Sequence, residues 1–168
     1  MKVIFSYTAF FTASAAALFF SCTKQFITYP SEPAIEYKDF IRYGNPSNPD
    51  SVSLVVSFTD NEGDIDLTQA DTQGVFKYGN FVMVYFYDSS GYWAAYDPNP
   101  LPPFDTVKFF YRIPHLSFQG NTEDPMKGVI YAKQYPFINP FQKIKYRVYM
   151  YDKAMHKSNV IETPPIQF

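Results

Sequence analysis

Four carboxylates stand at every second position of one short stretch. They are Asp60, Glu62, Asp64 and Asp66, within Thr59-Asp60-Asn61-Glu62-Gly63-Asp64-Ile65-Asp66-Leu67. Carboxylate oxygens are hard ligands, and calcium takes about six to eight oxygens at about 2.3–2.6 Å. The spacing is not that of an EF-hand. Counted from Asp60, the sixth loop position, which needs glycine, is Ile65, and the twelfth, which needs glutamate, is Asp71. The same residues also suit a solvated acidic turn, with Gly63 supplying a positive φ and the aspartates making Asx turns. Both readings stand at this level: calcium ligands, or a turn.

The aromatic residues are the second source of chemistry. Tyr92, Trp93 and Tyr96, with Tyr85 and Tyr87 nearby in sequence, could stack on sugar rings or on a protein partner. The alternative is packing within the sheet, the usual work of aromatics in a β-domain. Catalytic signals are missing. His115 and His156 lack metal-type spacing, and Ser158 beside His156 is no triad, which is a spatial arrangement with an oxyanion site. Glycoside cleavage needs two carboxyls at a defined separation, and with sixteen acids any pair could be nominated. There is neither a phosphate-binding glycine loop with its lysine nor a dinucleotide fingerprint. The protein is expected not to be an enzyme.

Composition bounds the rest. The chain has 168 residues and a net charge of -2, so it offers no basic field for nucleic acid. Aromatics make up 20%, too many for a disordered chain. A single cysteine, Cys22, excludes a disulfide framework and a multi-thiolate zinc site.

The elements that would position these groups read as strands. Val52, Leu54, Val56 and Phe58 alternate with Ser53 and Ser57. Val107, Phe109, Tyr111 and Ile113 alternate with Thr106, Lys108 and Arg112. Ile144, Tyr146, Val148 and Met150 alternate with Lys145 and Arg147. A strand sends successive side chains to opposite faces, so each apolar set can line one core. Phe81–Tyr87 is apolar throughout and reads as a central strand covered on both sides. Weaker strands are expected at Ile35–Ile41, Tyr92–Tyr96, Val129–Lys133 and Asn159–Thr163. No helical stripe follows residue 33, and prolines at 46, 49, 98, 100, 102, 103, 125, 136, 140, 164 and 165 mark connections and edges. About seven to nine short strands in one domain indicate an antiparallel sandwich or small barrel, with a long crossover at Pro98–Pro103.

The N-terminal segment is an address. One charge, Lys2, precedes an apolar run that closes in Leu18-Phe19-Phe20-Ser21-Cys22. This resembles a bacterial lipoprotein signal with a loose lipobox of the Bacteroidetes kind. Phe19 stands where leucine is usual, and Phe20 where smaller residues are commoner. The resemblance implies cleavage after residue 21, acylation of Cys22, and a short tether over 22–33. Several acyl chains on one cysteine make a lasting anchor, at about 0.8 kcal/mol per buried CH₂. Only Lys24 and Glu32 are charged after Cys22 in the tether, without an acidic export cluster. The expected site is therefore the outer membrane, with the periplasmic face favoured over the cell surface.

The acidic stretch resembles the Phe-Thr-Asp-Gly-Asp-Gly-Asp-Ile-Gly loop of Bacteroidetes lipoproteins with an immunoglobulin-like domain. Asn61, Glu62 and Asp66 depart from that pattern. The segment Tyr151-Asp152-Lys153-Ala154-Met155-His156-Lys157-Ser158-Asn159 is similar to the closing hairpin of the same domains. The resemblance implies an immunoglobulin-like β-sandwich over 34–168. With Ser51–Phe58 as strand B and Ile144–Tyr151 as strand F, their following loops share one end. Asp152 would then join Asp60, Glu62, Asp64 and Asp66 around one calcium. The expected function is a non-enzymatic binding or scaffolding domain on a lipid anchor, with an envelope protein or a glycan as partner. The alternatives are a glycan-binding accessory lipoprotein of a polysaccharide-uptake system and a small hydrolase with a carboxylate site at the acidic loop. Two triplets, Asp50-Ser51-Val52 and Asp105-Thr106-Val107, also resemble the O-glycosylation sequon of this lineage.

Overall fold

β-Branched and aromatic residues in alternation with polar ones build strands that are half-buried on a pleated surface. The computed structural model describes residues 28–96, 108–114 and 125–168. These residues form β1 Ala34–Asn45, β2 Asn48–Asp60, β3 Phe81–Ser89, β4 Tyr92–Ala95 and β5 Lys108–Tyr111. After them come β6 Met126–Gln134, β7 Lys143–Met150, β8 Ile161–Glu162 and β9 Ile166–Gln167. The helical content described is one 3-10 turn, Gly74–Lys77. The signal segment 1–21, Cys22, the tether as far as residue 27, the Pro98–Pro103 cluster, His115 and the Asp105-Thr106-Val107 triplet lie outside the described residues.

The strands pair antiparallel in two sheets. One has the order β1-β2-β6. The other has the order β4-β3-β7-β8, with β5 also on β3 and β9 also on β7. β5 lies along Phe81–Val84 of β3, while β4 lies along Phe86–Ser89. β8 and β9 likewise follow each other along the far flank of β7. The arrangement is an antiparallel β-sandwich, with a three-stranded sheet packed against a six-stranded one.

The core follows the alternation. Val52, Leu54, Val56 and Phe58 of β2 pack with Phe81, Met83 and Tyr85 of β3 and with Ile144, Tyr146, Val148 and Met150 of β7. The four β7 residues have no exposed surface. β3 differs from the doubly covered strand expected of it. Its Val84 and Phe86 are only half-buried, on the outer face. Lys145 and Arg147 of β7 place their cationic heads 5.8 and 5.0 Å from the Phe86 ring. Long basic side chains can shade apolar surface with their stems while the charge stays in water, so side chains stand in for a third layer.

Punctuation fell where chain geometry requires it. Pro49 sits at the start of β2, opposite Gly44, where the β1–β2 register shifts. Gly44 has φ +90°, and a Cβ there would lie 2.5 Å from Asp50 Oδ2, so only glycine fits. Pro164 and Pro165 split the last strand into β8 and β9, since neither supplies an N–H to the ladder. Ser51 is 5% exposed within β2, so the hydroxyl of its triplet is not on the surface.

The final hairpin is fastened to the first strand by one amide. Asn159 Oδ1 accepts the Ile35 N–H at 2.7 Å, and Asn159 Nδ2 donates to the Ile35 carbonyl at 2.9 Å. Asn159→Ala is expected to cost about 1–3 kcal/mol, because both bonds go and the Ile35 backbone groups lose their partner. Urea unfolding measures this, and a loss below about 0.5 kcal/mol would contradict the assigned role.

Candidate cation site where two loops meet

β2 ends at Asp60, which is opposite Met126 of β6. The chain then turns through Asn61–Asp64, with Gly63 at φ 66°. β7 ends at Met150, and Asp152 organises the turn that follows. Its Oδ1 accepts the His156 N–H at 2.7 Å, its Oδ2 lies 2.9 Å from His156 Nδ1, and its carbonyl accepts the Met155 N–H at 3.2 Å. Met155 takes φ 74° to close that turn. The two loops are joined by the Lys153 N–H, which donates to the Asp64 carbonyl at 3.0 Å.

Asn80 supports both loops from beneath. It has no exposed surface. Its Nδ2 donates to the carbonyls of Ile65 at 2.6 Å and Tyr151 at 2.9 Å, and its Oδ1 accepts the Ile113 N–H at 3.1 Å. The side chain is fully satisfied and ties the acidic loop to the exits of β5 and β7.

On this frame Asp60, Asp64 and Asp152 converge. Each offers a carboxylate oxygen, and these atoms lie within 4.8 Å of one another. Oxygens on a sphere of radius about 2.4 Å around a calcium are separated by no more than about 4.8 Å, so the spacing fits one ion. Asp60 and Asp152 have no exposed surface. Three carboxylate oxygens here are buried without a hydrogen-bond partner: Asp60 Oδ1, Glu62 Oε2 and Asp64 Oδ1. Buried polar groups in proteins are nearly always paired, so the unpartnered oxygens of Asp60 and Asp64 in one cluster call for a ligand.

The electrostatics agree. Burial pushes the Asp60 carboxyl up to about 6, helped by the Asp64 and Asp152 charges and opposed by hydrogen bonds from the Gly63 and Asp64 backbone. Burial also raises Asp64, again with Asp152 adding to the effect. A divalent cation would reverse both trends by supplying the missing opposite charge.

The other two predicted ligands stand differently. Glu62 turns Oε1 outward, where it accepts the Ser31 hydroxyl at 3.0 Å and Asn61 Nδ2 at 3.3 Å, and keeps Oε2 inside. Its carboxyl is held below the usual range, chiefly by those bonds from Asn61 and Ser31. Asp66 lies apart from the triad and pairs with Lys153. His156 belongs to the rim of the site. The hydrogen bond it gives to the Asp152 carboxylate holds its imidazole above the ordinary value.

The three aromatic candidates are not brought onto one surface. Tyr92 is 79% exposed at the β3–β4 turn. Trp93 lies on the outer face, with Lys145 Nζ 4.9 Å and Lys143 Nζ 5.4 Å from its ring. Tyr96 packs inward against Tyr85, Tyr87 and Phe141, at 5.7, 6.1 and 5.2 Å between ring centroids. Tyr92 and Trp93 are neighbours in a strand, which sends them to opposite faces.

Two functional residues escaped the sequence reading. Asn80 follows Tyr78-Gly79, and this shows only a turn before a strand. Asn61 was read as a departure from a pattern, yet its Oδ1 accepts the Tyr29 N–H at 3.0 Å. The segment before β1 thus meets the sandwich at the acidic loop. Among the described residues, no helix is long and apolar enough to cross a membrane. No protein-family model, curated protein or solved structure matches the chain.

Proposed function

We propose that this protein is a lipid-anchored cell-envelope protein whose immunoglobulin-like domain is a non-enzymatic binding or scaffolding module stabilised by one calcium ion. The observation that carries the calcium is the pair of partnerless buried oxygens, Asp60 Oδ1 and Asp64 Oδ1, where Asp60, Asp64 and Asp152 meet. Ligands drawn from two loops favour a structural role, since the ion would hold together chain segments that charge repulsion drives apart. The anchor rests on Cys22 and the apolar run before it. The outer membrane, periplasmic face, is the favoured location. The glycan-binding reading draws less support, because Trp93 sits beneath two lysines and Tyr96 packs inward.

Two measurements test this. The full-length protein, expressed in a host that acylates lipoproteins, should take up a radiolabelled fatty acid and fractionate with membranes, and Cys22→Ser should lose the label. Retention in the membrane without label in that variant would sink the anchor. Calorimetric titration with calcium should show one site, absent in Asp60→Asn. An unchanged heat trace between the two proteins would sink the calcium reading.

A further inference from the structure

The tether is bonded to the same loop that presents the orphaned oxygens. The Tyr29 N–H donates to Asn61 Oδ1 at 3.0 Å, and the Ser31 hydroxyl donates to Glu62 Oε1 at 3.0 Å. Asn61 Nδ2 reaches Glu62 Oε1 at 3.3 Å, which closes a small ring of contacts. Pro33, next along, is buried. The segment that follows Cys22 is therefore bonded to the acidic loop of the candidate site.

We infer that the cation site is also a clasp: calcium held by Asp60, Asp64 and Asp152 orders the loop that carries Asn61 and Glu62, and so fixes the tether against the domain. This rests on the calcium reading above. Its independent footing is the geometry of Glu62, one oxygen bound to the tether and the other buried and free. Asp60 supplies the second footing, as a residue without exposed surface and with Oδ1 unpaired. Without the ion, like charges in the loop repel one another, and the two bonds to the tether are weak because water competes for them. With it, the loop that carries Asn61 and Glu62 is ordered, so both tether partners become fixed. Seven residues from Cys22 to Tyr29 span at most about 25 Å when extended. A closed clasp would keep the loop end of the sandwich within that distance of the lipid. An open one would free residues 29–33 and let the domain swing outward. Calcium would then set how far the domain stands from the membrane and how freely it turns.

The test is amide hydrogen exchange of the full-length acylated protein in detergent, with calcium and with chelator, followed by mass spectrometry of peptides covering 28–33. Calcium should slow exchange at the Tyr29 amide about tenfold. Asp60→Asn should abolish both calcium binding and the slowing. Asn61→Ala should keep calcium binding but lose the slowing at Tyr29, which separates the clasp from the site. If calcium binds and raises the melting temperature while exchange over 28–33 is unchanged, the clasp is wrong and the site stands. If calcium does not bind at all, both are wrong.

Discussion

Asn80→Ala should destabilise the domain by roughly 3–4 kcal/mol. The replaced amide has no exposed surface and makes three hydrogen bonds, two to the carbonyls of Ile65 and Tyr151 and one from the Ile113 N–H. Stranding a buried donor or acceptor costs about 1–3 kcal/mol, and here three backbone groups are stranded together with a small cavity. Neighbouring losses are not additive, so the estimate stays below three times the single value. Asn80→Asp keeps the volume but sets a carboxylate against two carbonyl oxygens, and it should be at least as damaging at neutral pH. Guanidinium unfolding with an unchanged m-value reads the difference. A loss under about 1 kcal/mol for either variant would refute the role given to this residue. Calcium affinity should fall as well, because Ile65 directly follows Asp64 and Tyr151 directly precedes Asp152 in the chain.

The second large effect is the coupling of calcium and protons. In the folded protein Asp60 titrates near 6, against 3.8 for the free side chain, and Asp64 is also raised. A raised carboxyl binds its proton more firmly in the folded state than in the unfolded one. Its contribution is fully present below the unfolded value and is lost as pH rises through the folded value. In chelator, this site should therefore weaken the fold between about pH 4 and 6, and the deficit should persist at neutral pH. Calcium replaces the proton, and its binding competes with protonation. The gain at a hundredfold excess over Kd is about 2.7 kcal/mol, roughly 8–12 °C in Tm for a domain of this size. That gain should be largest at pH 7.5 and shrink by pH 5. Asp60→Asn should match or exceed the wild type in chelator at pH 7.5, because it removes a buried repelling charge and keeps an oxygen for the Gly63 and Asp64 N–H groups. It should show no calcium shift. Differential scanning calorimetry at the two pH values decides, and an equal calcium gain at pH 5 and 7.5 would contradict the mechanism.

Much of the fold was legible because burial imposes period 2 on a strand. Ile144, Tyr146, Val148 and Met150 were placed inside by alternation alone, and all four are fully buried. Phe81–Tyr87 misled in part. Composition cannot distinguish a second covering layer from long cationic side chains lent by the next strand. Alternation also could not divide Tyr92, Trp93 and Tyr96, since their partners come from β3, β7 and the Pro140–Phe141 segment.

The candidate site shows the same division. The residue types were plain from the spacing of Asp60, Glu62, Asp64 and Asp66, and the involvement of Asp152 followed from a resemblance. Which carboxylates converge was not plain, because the loop is a turn and not an extended strand. Asp66 leaves the cluster for Lys153, while Asp60 and Asp64 stay in it with Asp152.

By itself the sequence determined the strand content, the apolar face of each main strand, the absence of any basic field, and the N-terminal pattern that points to an anchor at Cys22. These depend on the order of side chains along one segment. Only the tertiary structure decided that three carboxylates meet, that two of their oxygens and one of Glu62's lack partners, that Asn80 holds the loops, and that Tyr29 and Ser31 are bonded to the acidic loop. Each of these depends on segments distant in the chain, brought together by two sheets closing over one core.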